Sequence, residues 1–370
     1  DTTIWSMPVV LKVGTTYGVE EIRFLLEEKS ADIALESPAE WATANAGGSG
    51  FFRARYSPEM LKALSISMLE NLTPIERYGL VDDTWSSVMT GRTSAKDFLE
   101  FARSFQSETD LDVWTVLSGC LANLDKLVEG EAKLQYQAVV RDLAHPALNR
   151  LGWEPSDSNS SRDLELRGLF IRLLANVGDD QLALKNAGDL HHSYLADAGS
   201  VEPNIAAAAT GIVASKGDSA QYEVFLDKHH NPSTPQEERR YQSALSAFPG
   251  EAEIDRTMAM TLDGTIRTQD APYLLAVCMR NKEQGFRAWE FVKSNWEQIN
   301  KDFPSNSIVR MLSGVTSLSK PEQAADVIAF FDDHNVPQGQ LTLQQTLEKL
   351  RVNVALRERE RGSFSDSLLS

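Results

Sequence analysis

Only two cysteines, Cys120 and Cys278, occur in 370 residues, each on the apolar face of a helical stretch. No disulfide framework or thiolate-bound metal centre follows from them, and they suit a reducing compartment such as the cytoplasm. Apolar runs are short, and none reaches the length needed to span a bilayer. Basic charge is scarce: 36 Lys and Arg face 53 Asp and Glu, for a net charge of −17. A phosphate backbone needs a basic face, so this balance argues against nucleic acid and against an anionic membrane surface. The N-terminus, DTTIWSMPVV, has neither an initiating Met nor a basic n-region, and the chain reads as cut from something longer. Asn71 and Asn159 head glycosylation triplets of a kind that arises often by chance.

Reactive constellations are also missing. A helix-borne zinc site needs two histidines at i and i+4, because only that spacing puts both rings on one face. The six histidines are His145, His191, His192, His229, His230 and His334, and none stands four residues from another. The sequence holds no Gly-x-x-x-x-Gly-Lys phosphate loop and no Gly-x-Ser-x-Gly elbow. Gly47-Gly48-Ser49-Gly50 lies between strand candidates and reads as a turn. Asp82 and Asp83 are sequence neighbours, do not share a helix face and read as structural.

What is present is a soluble-protein composition, 42% hydrophobic and 24% charged, in a chain long enough for about two or three domains. Residues 1–57 alternate as β. Ile4–Val13, Glu21–Glu28, Ala31–Leu35 and Gly50–Tyr56 are the strand candidates, with a loop from Trp41 to Gly50. Strands without intervening helices imply part of a small β-sandwich, with an incomplete edge. Residues 58–361 are helical throughout. Capping boxes are expected at Thr73–Glu76, Thr234–Glu237 and Ser319–Glu322, and Thr342 is expected to cap the last long helix. Ser94 opens a helix with Phe98, Phe101 and Phe105 inward. Residues 362–370 are Ser-rich and read as a disordered tail. About 300 residues of short amphipathic helices exceed one globular core, and stacked pairs that touch only neighbours solve that problem. The expected fold is mostly α: a HEAT-like superhelix behind a small, incomplete β-sandwich.

The most informative stretch is Arg267–Glu297, RTQDAPYLLAVCMRNKEQGFRAWEFVKSNWE. Asp270 is placed as an N-cap with Pro272 in the first turn. After the break at Asn281–Gly285 comes a stripe of Phe286, Trp289, Val292, Trp296, Ile299 and Phe303. Two tryptophans on one stripe require burial between helices, so both are assigned to the core.

This stretch resembles the C-terminal region of the zinc aminopeptidases of the puromycin-sensitive and endoplasmic-reticulum aminopeptidase family. The family's Arg-x-Gln-Asp step falls on Arg267, Gln269 and Asp270. Its glycine and aromatic string falls on Gly285, Ala288, Trp289, Phe291, Val292, Asn295 and Trp296, one residue tighter between Gly285 and Ala288 than in some relatives. Earlier, Asn45, Gly47, Gly50, Phe51, Phe52, Arg53 and Tyr56 match the end of the family's β-sandwich, with Ala54 for Val, and Asp82-Asp83 match a Leu-x-Asp-Asp step. The resemblance runs from Trp5 to Arg361. It implies a helical domain bowled over an active site, with the zinc-binding His-Glu-x-x-His and the Gly-x-Met-x-Asn motif lying before Asp1. No cofactor is then expected in this chain, and zinc belongs to the catalytic domain.

The implied role is the non-catalytic portion of a peptide-trimming enzyme. It would close the chamber, control peptide access, and pair with the parent's N-terminal and catalytic domains. Arg267, Gln269 and Asp270 precede a helix, where Arg267 would clamp a peptide carboxylate or else fix the turn by pairing with neighbouring helices. Arg310 is a second candidate. The competing role is a free-standing helical-repeat scaffold that binds proteins along its groove.

Overall fold

Ser57, Thr73 and Ser94 each stand in extended backbone just before a helix, and the side chains of Ser57 and Ser94 accept from the N–H groups of Met60 and Asp97. The computed structural model describes residues 4–336 and 339–370. Among these, three strands come first: β1 (Met7–Thr15), β2 (Gly18–Leu26) and β3 (Ala39–Thr43) form one antiparallel sheet in the order β2-β1-β3. Met7 pairs with Leu26, Val9 with Phe24 and Leu11 with Ile22, so one face carries the large apolar side chains.

Two strand expectations fail. Ala31–Leu35 and Gly50–Tyr56 are irregular, and β3 occupies part of the stretch read as a loop. In Gly50–Tyr56 the groups a ladder would use go elsewhere. The Ala54 N–H donates to Asp83, Arg53 pairs with Asp82, and the Tyr56 hydroxyl meets the Thr43 hydroxyl at 2.9 Å. Arg53 and the Ala54 backbone thus fasten the segment to a helix, while Phe52, Ala54 and Tyr56 turn to the sheet beside Met7, Val9 and Phe24, so the alternation FFRARY reports burial against the sheet and not a ladder. Gly47 and Gly48 take φ of 70° and 66°, which closes the expected turn.

Seventeen α-helices follow among the described residues. The first five are α1 (Pro58–Asn71), α2 (Pro74–Met89), α3 (Ala95–Ala102), α4 (Leu111–Leu124) and α5 (Gly130–Leu151). The Thr73 cap works as expected: the Glu76 carboxylate accepts from the Thr73 N–H at 2.7 Å. Glu76 also takes the Gly47 N–H at 2.9 Å and Lys12 Nζ at 3.0 Å, which ties β1 and the glycine turn to α2. These donors outweigh the upward push of burial and hold the Glu76 carboxyl below its usual range. Phe98, Phe101 and Phe105 are buried and pack edge to face.

The next helices are α6 (Ser161–Asn176), α7 (Gln181–Ala196), α8 (Pro203–Ser215), α9 (Ser219–His230), α10 (Pro235–Leu245) and α11 (Glu251–Ala259). Then come α12 (Ala271–Cys278), α13 (Gly285–Ser294), α14 (Trp296–Asp302), α15 (Ser305–Met311), α16 (Pro321–Asp333) and α17 (Gln340–Leu369). Consecutive helices pack as α7 on α8 and α9 on α10, and longer steps bring α10 onto α8 and α12 onto α15. The chain divides into two compact units, one of residues 1–154, 159–166 and 362–370, the other of 155–158 and 167–361.

Some helix ends differ from the sequence reading. Thr234 caps α10, but Glu237 reaches the N–H of Ser233 instead of its own cap residue. At α16 the cap position falls on Lys320, with no side-chain bond, so Ser319 closes no capping box. The last helix starts at Gln340, which puts Thr342 inside it. Its other end corrects a larger expectation. Residues 362–370 are not a disordered tail, because α17 continues to Leu369. Phe364 is buried, its ring 5.9 Å from that of Tyr136, and this one aromatic anchors a Ser-rich segment whose composition suggests none.

The tryptophan stripe spans two helices, since Asn295 breaks the run between α13 and α14. Trp289, Val292, Trp296, Ile299 and Phe303 are nevertheless buried, as the spacing requires. Gly285 opens α13 against the previous helix: a Cβ there would sit 2.6 Å from the Met279 carbonyl oxygen. Gly285→Ala should therefore cost about 1–3 kcal/mol by overpacking. A urea midpoint unchanged by the substitution would show that the carbonyl moves aside freely.

Candidate functional site

Three of the four site residues named from the sequence, Arg267, Gln269 and Asp270, directly precede α12. Its first turn is held by backbone, with the Arg267 carbonyl accepting from the N–H groups of Asp270 at 2.8 Å and Ala271 at 3.0 Å. Asp270 occupies the cap position, but its backbone is helical and its side chain makes no capping bond. The expected N-cap role is thus replaced by a carboxylate turned to other use.

Asp270 lines a shallow depression of about 380 Å³ between α10 and α12, with Arg239, Gln242 and Ser243 on one side and Tyr273, Leu274 and Val277 on the other. On α10, Arg239, Gln242 and Ser243 stand at i, i+3 and i+4, so one helix face presents all three. Leu274 is buried and forms the apolar floor, while the Tyr273 ring is 46% exposed. The depression thus sets a guanidinium, a carboxylate, an amide and an aromatic face around an apolar base. Such a lining suits an extended chain with alternating polar backbone and side-chain surface.

The other candidates sit differently. Arg267 is exposed and lies 3.9 Å from Glu238 on α10, a loose ion pair that favours the turn-fixing role over a free clamp. Gln269 is exposed and is not among the residues lining the depression, and Arg310 is exposed near the end of α15, also outside it. The structure therefore brings only Asp270 of the four into the concavity. Arg239, Gln242 and Tyr273 were missed. The signal for the first two was available, since the Thr234 cap fixes the phase of α10 and hence which positions share a face.

Among the described residues no three His, Cys, Asp or Glu side chains stand together in a way that could hold a metal ion. Cys120 and Cys278 are unpaired and buried, and burial pushes the Cys278 thiol up to about 12, far from a reactive thiolate. His191 is buried among aromatic rings, His229 is buried beside the His230 ring, and His334 stacks on Phe330. These residues do not fit the zinc that the family resemblance implies for the catalytic domain. Among the described helices none is long and apolar enough to cross a membrane.

A mostly helical chain that begins with a small antiparallel sheet is the class that the fold defines. The chain belongs to the ERAP1-like C-terminal domain family, whose profile matches residues 41–352. The resemblance first read at Arg267–Glu297 thus holds across most of the chain. It is similar to Aminopeptidase M1 of Arabidopsis thaliana, 28% identical over 94% of this chain and 42% of that protein. It is equally similar to the puromycin-sensitive aminopeptidase of Caenorhabditis elegans, 28% identical over 98% of this chain and 40% of that one. Endoplasmic reticulum aminopeptidase 2 of Bos taurus is 25% identical over 99% of this chain and 39% of its own length. The chain spans about two fifths of the length of these curated relatives.

Proposed function

We propose that this chain is the non-catalytic C-terminal portion of a zinc-dependent aminopeptidase that removes N-terminal residues from peptides. The observation that carries the reading is the family match over 41–352 together with relatives that are aminopeptidases by name. In that enzyme the chain works with the parent's own N-terminal and catalytic domains, and zinc is held by the catalytic domain. Its role is to close the chamber and govern which peptides enter, with domain opening gating turnover. The packing of successive helices on their neighbours supports a HEAT-like arrangement for this wall. Two unpaired, buried cysteines support a cytoplasmic setting.

Within this role the depression between α10 and α12 holds the distal part of a peptide. Arg239 would contact a carboxylate, Asp270 a basic group or backbone N–H, and Tyr273 a side chain by stacking. Arg239→Ala in the complete enzyme should raise KM for peptides long enough to reach the depression by about two- to fivefold, the worth of one exposed charge contact. An aminoacyl reporter, which is too short, should be cleaved as before. Arg267→Ala should have a smaller effect, because Glu238 already engages that guanidinium. Michaelis constants for long peptides unchanged by Arg239→Ala would remove the depression from substrate binding.

A further inference from the structure

Helices α7, α9 and α10 meet around a cluster of ionisable side chains that the peptide-handling role does not use. His191 of α7 is buried, with Nε2 3.2 Å from the Tyr241 hydroxyl of α10 and its ring 5.0 Å from that of Phe225 of α9. His229, near the end of α9, is also buried, and its Nδ1 finds no hydrogen-bond partner among the described residues. Tyr194, one turn after His191, reaches Glu237 of α10 at 3.4 Å. Phe225 and Phe248 close the cluster edge to face.

The charges facing these rings decide what happens on acidification. Around His191 the near groups are His192 and Lys228, both of the sign that opposes a second positive charge. The cluster's buried carboxylate, Glu237, is engaged by the Ser233 N–H at 2.6 Å and by Tyr194, and Arg240 lies over the Tyr194 ring. Helix α8, which packs on both α7 and α10, carries no ionisable side chain in PNIAAAATGIVAS. His229 faces burial and His230, which disfavour charge, against Glu238, which favours it. Burial therefore pushes His191 down to about 4 and His229 below its usual value.

We propose that the His191–His229 cluster is an acid-sensitive latch that holds α9 and α10 against α7 and α8 while both imidazoles are neutral, and releases them when they take up protons. A histidine whose value is lowered by folding contributes stability that is whole above the ordinary imidazole range. That stability is lost as pH falls from about 6.5 towards about 4. The release is local, since the two imidazoles that sense the proton lie on α7 and α9 and face α10.

Hydrogen exchange of the intact protein at pH 7 and pH 5, corrected for the intrinsic rate, tests this. From His191 alone the opening equilibrium of Ser219–Leu245 should rise about twentyfold over that interval. Leu111–Leu124 should keep its protection. In a His191→Gln, His229→Gln variant the difference between the two pH values should vanish, whatever the variant's absolute stability. Equal protection of Ser219–Leu245 at both pH values in the unaltered protein would overturn the proposal, and that arm needs no variant to fold. Loss of protection spread uniformly over all helices, or an undiminished pH effect in the double variant, would overturn it as well.

Discussion

Glu108→Ala should destabilise the unit that contains α1–α5 by about 3–5 kcal/mol, the range for removing one partner of a buried ion pair. Glu108 has no exposed surface and Arg77 of α2 is 8% exposed. The guanidinium binds the carboxylate in two-pronged fashion, Nε to Oε2 at 2.5 Å and Nη2 to Oε1 at 2.9 Å. The same carboxylate accepts from the N–H groups of Thr109 and Asp110 at 2.7 and 2.8 Å. Its backbone carbonyl accepts from the Trp114 indole and from Arg150. Alanine would leave a desolvated cation held only by the Leu72 carbonyl, and two orphaned donors at the start of α4.

Glu108→Gln should cost less, about 1–3 kcal/mol, since the amide oxygen can still take one set of donors. Arg77→Met should fall between the two. Met restores apolar packing, and the carboxylate keeps its two backbone donors. The measurement is the urea midpoint at constant slope, with exchange of Leu111–Leu124 showing which unit opens. A loss below about 1 kcal/mol for Glu108→Ala would mean that water reaches Arg77 in the native state.

Glu108 also shows how much of this molecule can be read from its sequence. Helices announce themselves by spacing, and Thr73 and Ser94 announce their starts, because both signals are local. Nothing local marks Glu108, which lies in a polar connection between α3 and α4 and gains its meaning from Arg77, 31 residues earlier. The two strand expectations that fail do so for the same reason. An alternating segment such as Gly50–Tyr56 becomes a strand only if a neighbour offers a ladder, and here Asp83 of α2 offers a carboxylate instead. Phe364, buried beside Tyr136, ties a polar tail to the helices before it. At the candidate site, Arg267 and Asp270 were visible as loop charges before a helix. That Asp270 faces Arg239 across a depression depends on how α10 lies on α12, which neither segment encodes alone. The family motif could be recognised without being explained: Gly285 is needed for close approach to the Met279 carbonyl, a reason that appears only with coordinates.

Trp289→Ala should produce the largest loss in the second unit, about 3–5 kcal/mol, the usual cost of emptying a buried tryptophan site. Trp289 is fully buried on α13, edge-on to Phe330 at 5.2 Å and tilted against Phe331 at 5.7 Å, both on α16. Its indole N–H donates to Asp326 at 2.6 Å, and Lys293 reaches the same carboxylate at 2.7 and 2.8 Å. Burial raises the Asp326 carboxyl, but these donors outweigh it and leave the group below its usual range. Its contribution is therefore present above the ordinary aspartate range and fades as pH falls through it. Two substitutions separate packing from the polar bond. Trp289→Phe keeps most of the ring contact and removes the donor, and because Lys293 still serves Asp326 it should cost only about 1–2 kcal/mol. Trp296→Ala should fall between, since Trp296 touches the same two phenylalanines at 5.4 and 5.8 Å but is 8% exposed. Urea midpoints should rank Trp289→Ala as worst, then Trp296→Ala, then Trp289→Phe. If Trp289→Phe proved as costly as Trp289→Ala, the energy would lie in the indole–Asp326 bond, and the aromatic stripe would be a consequence of that bond instead of its support.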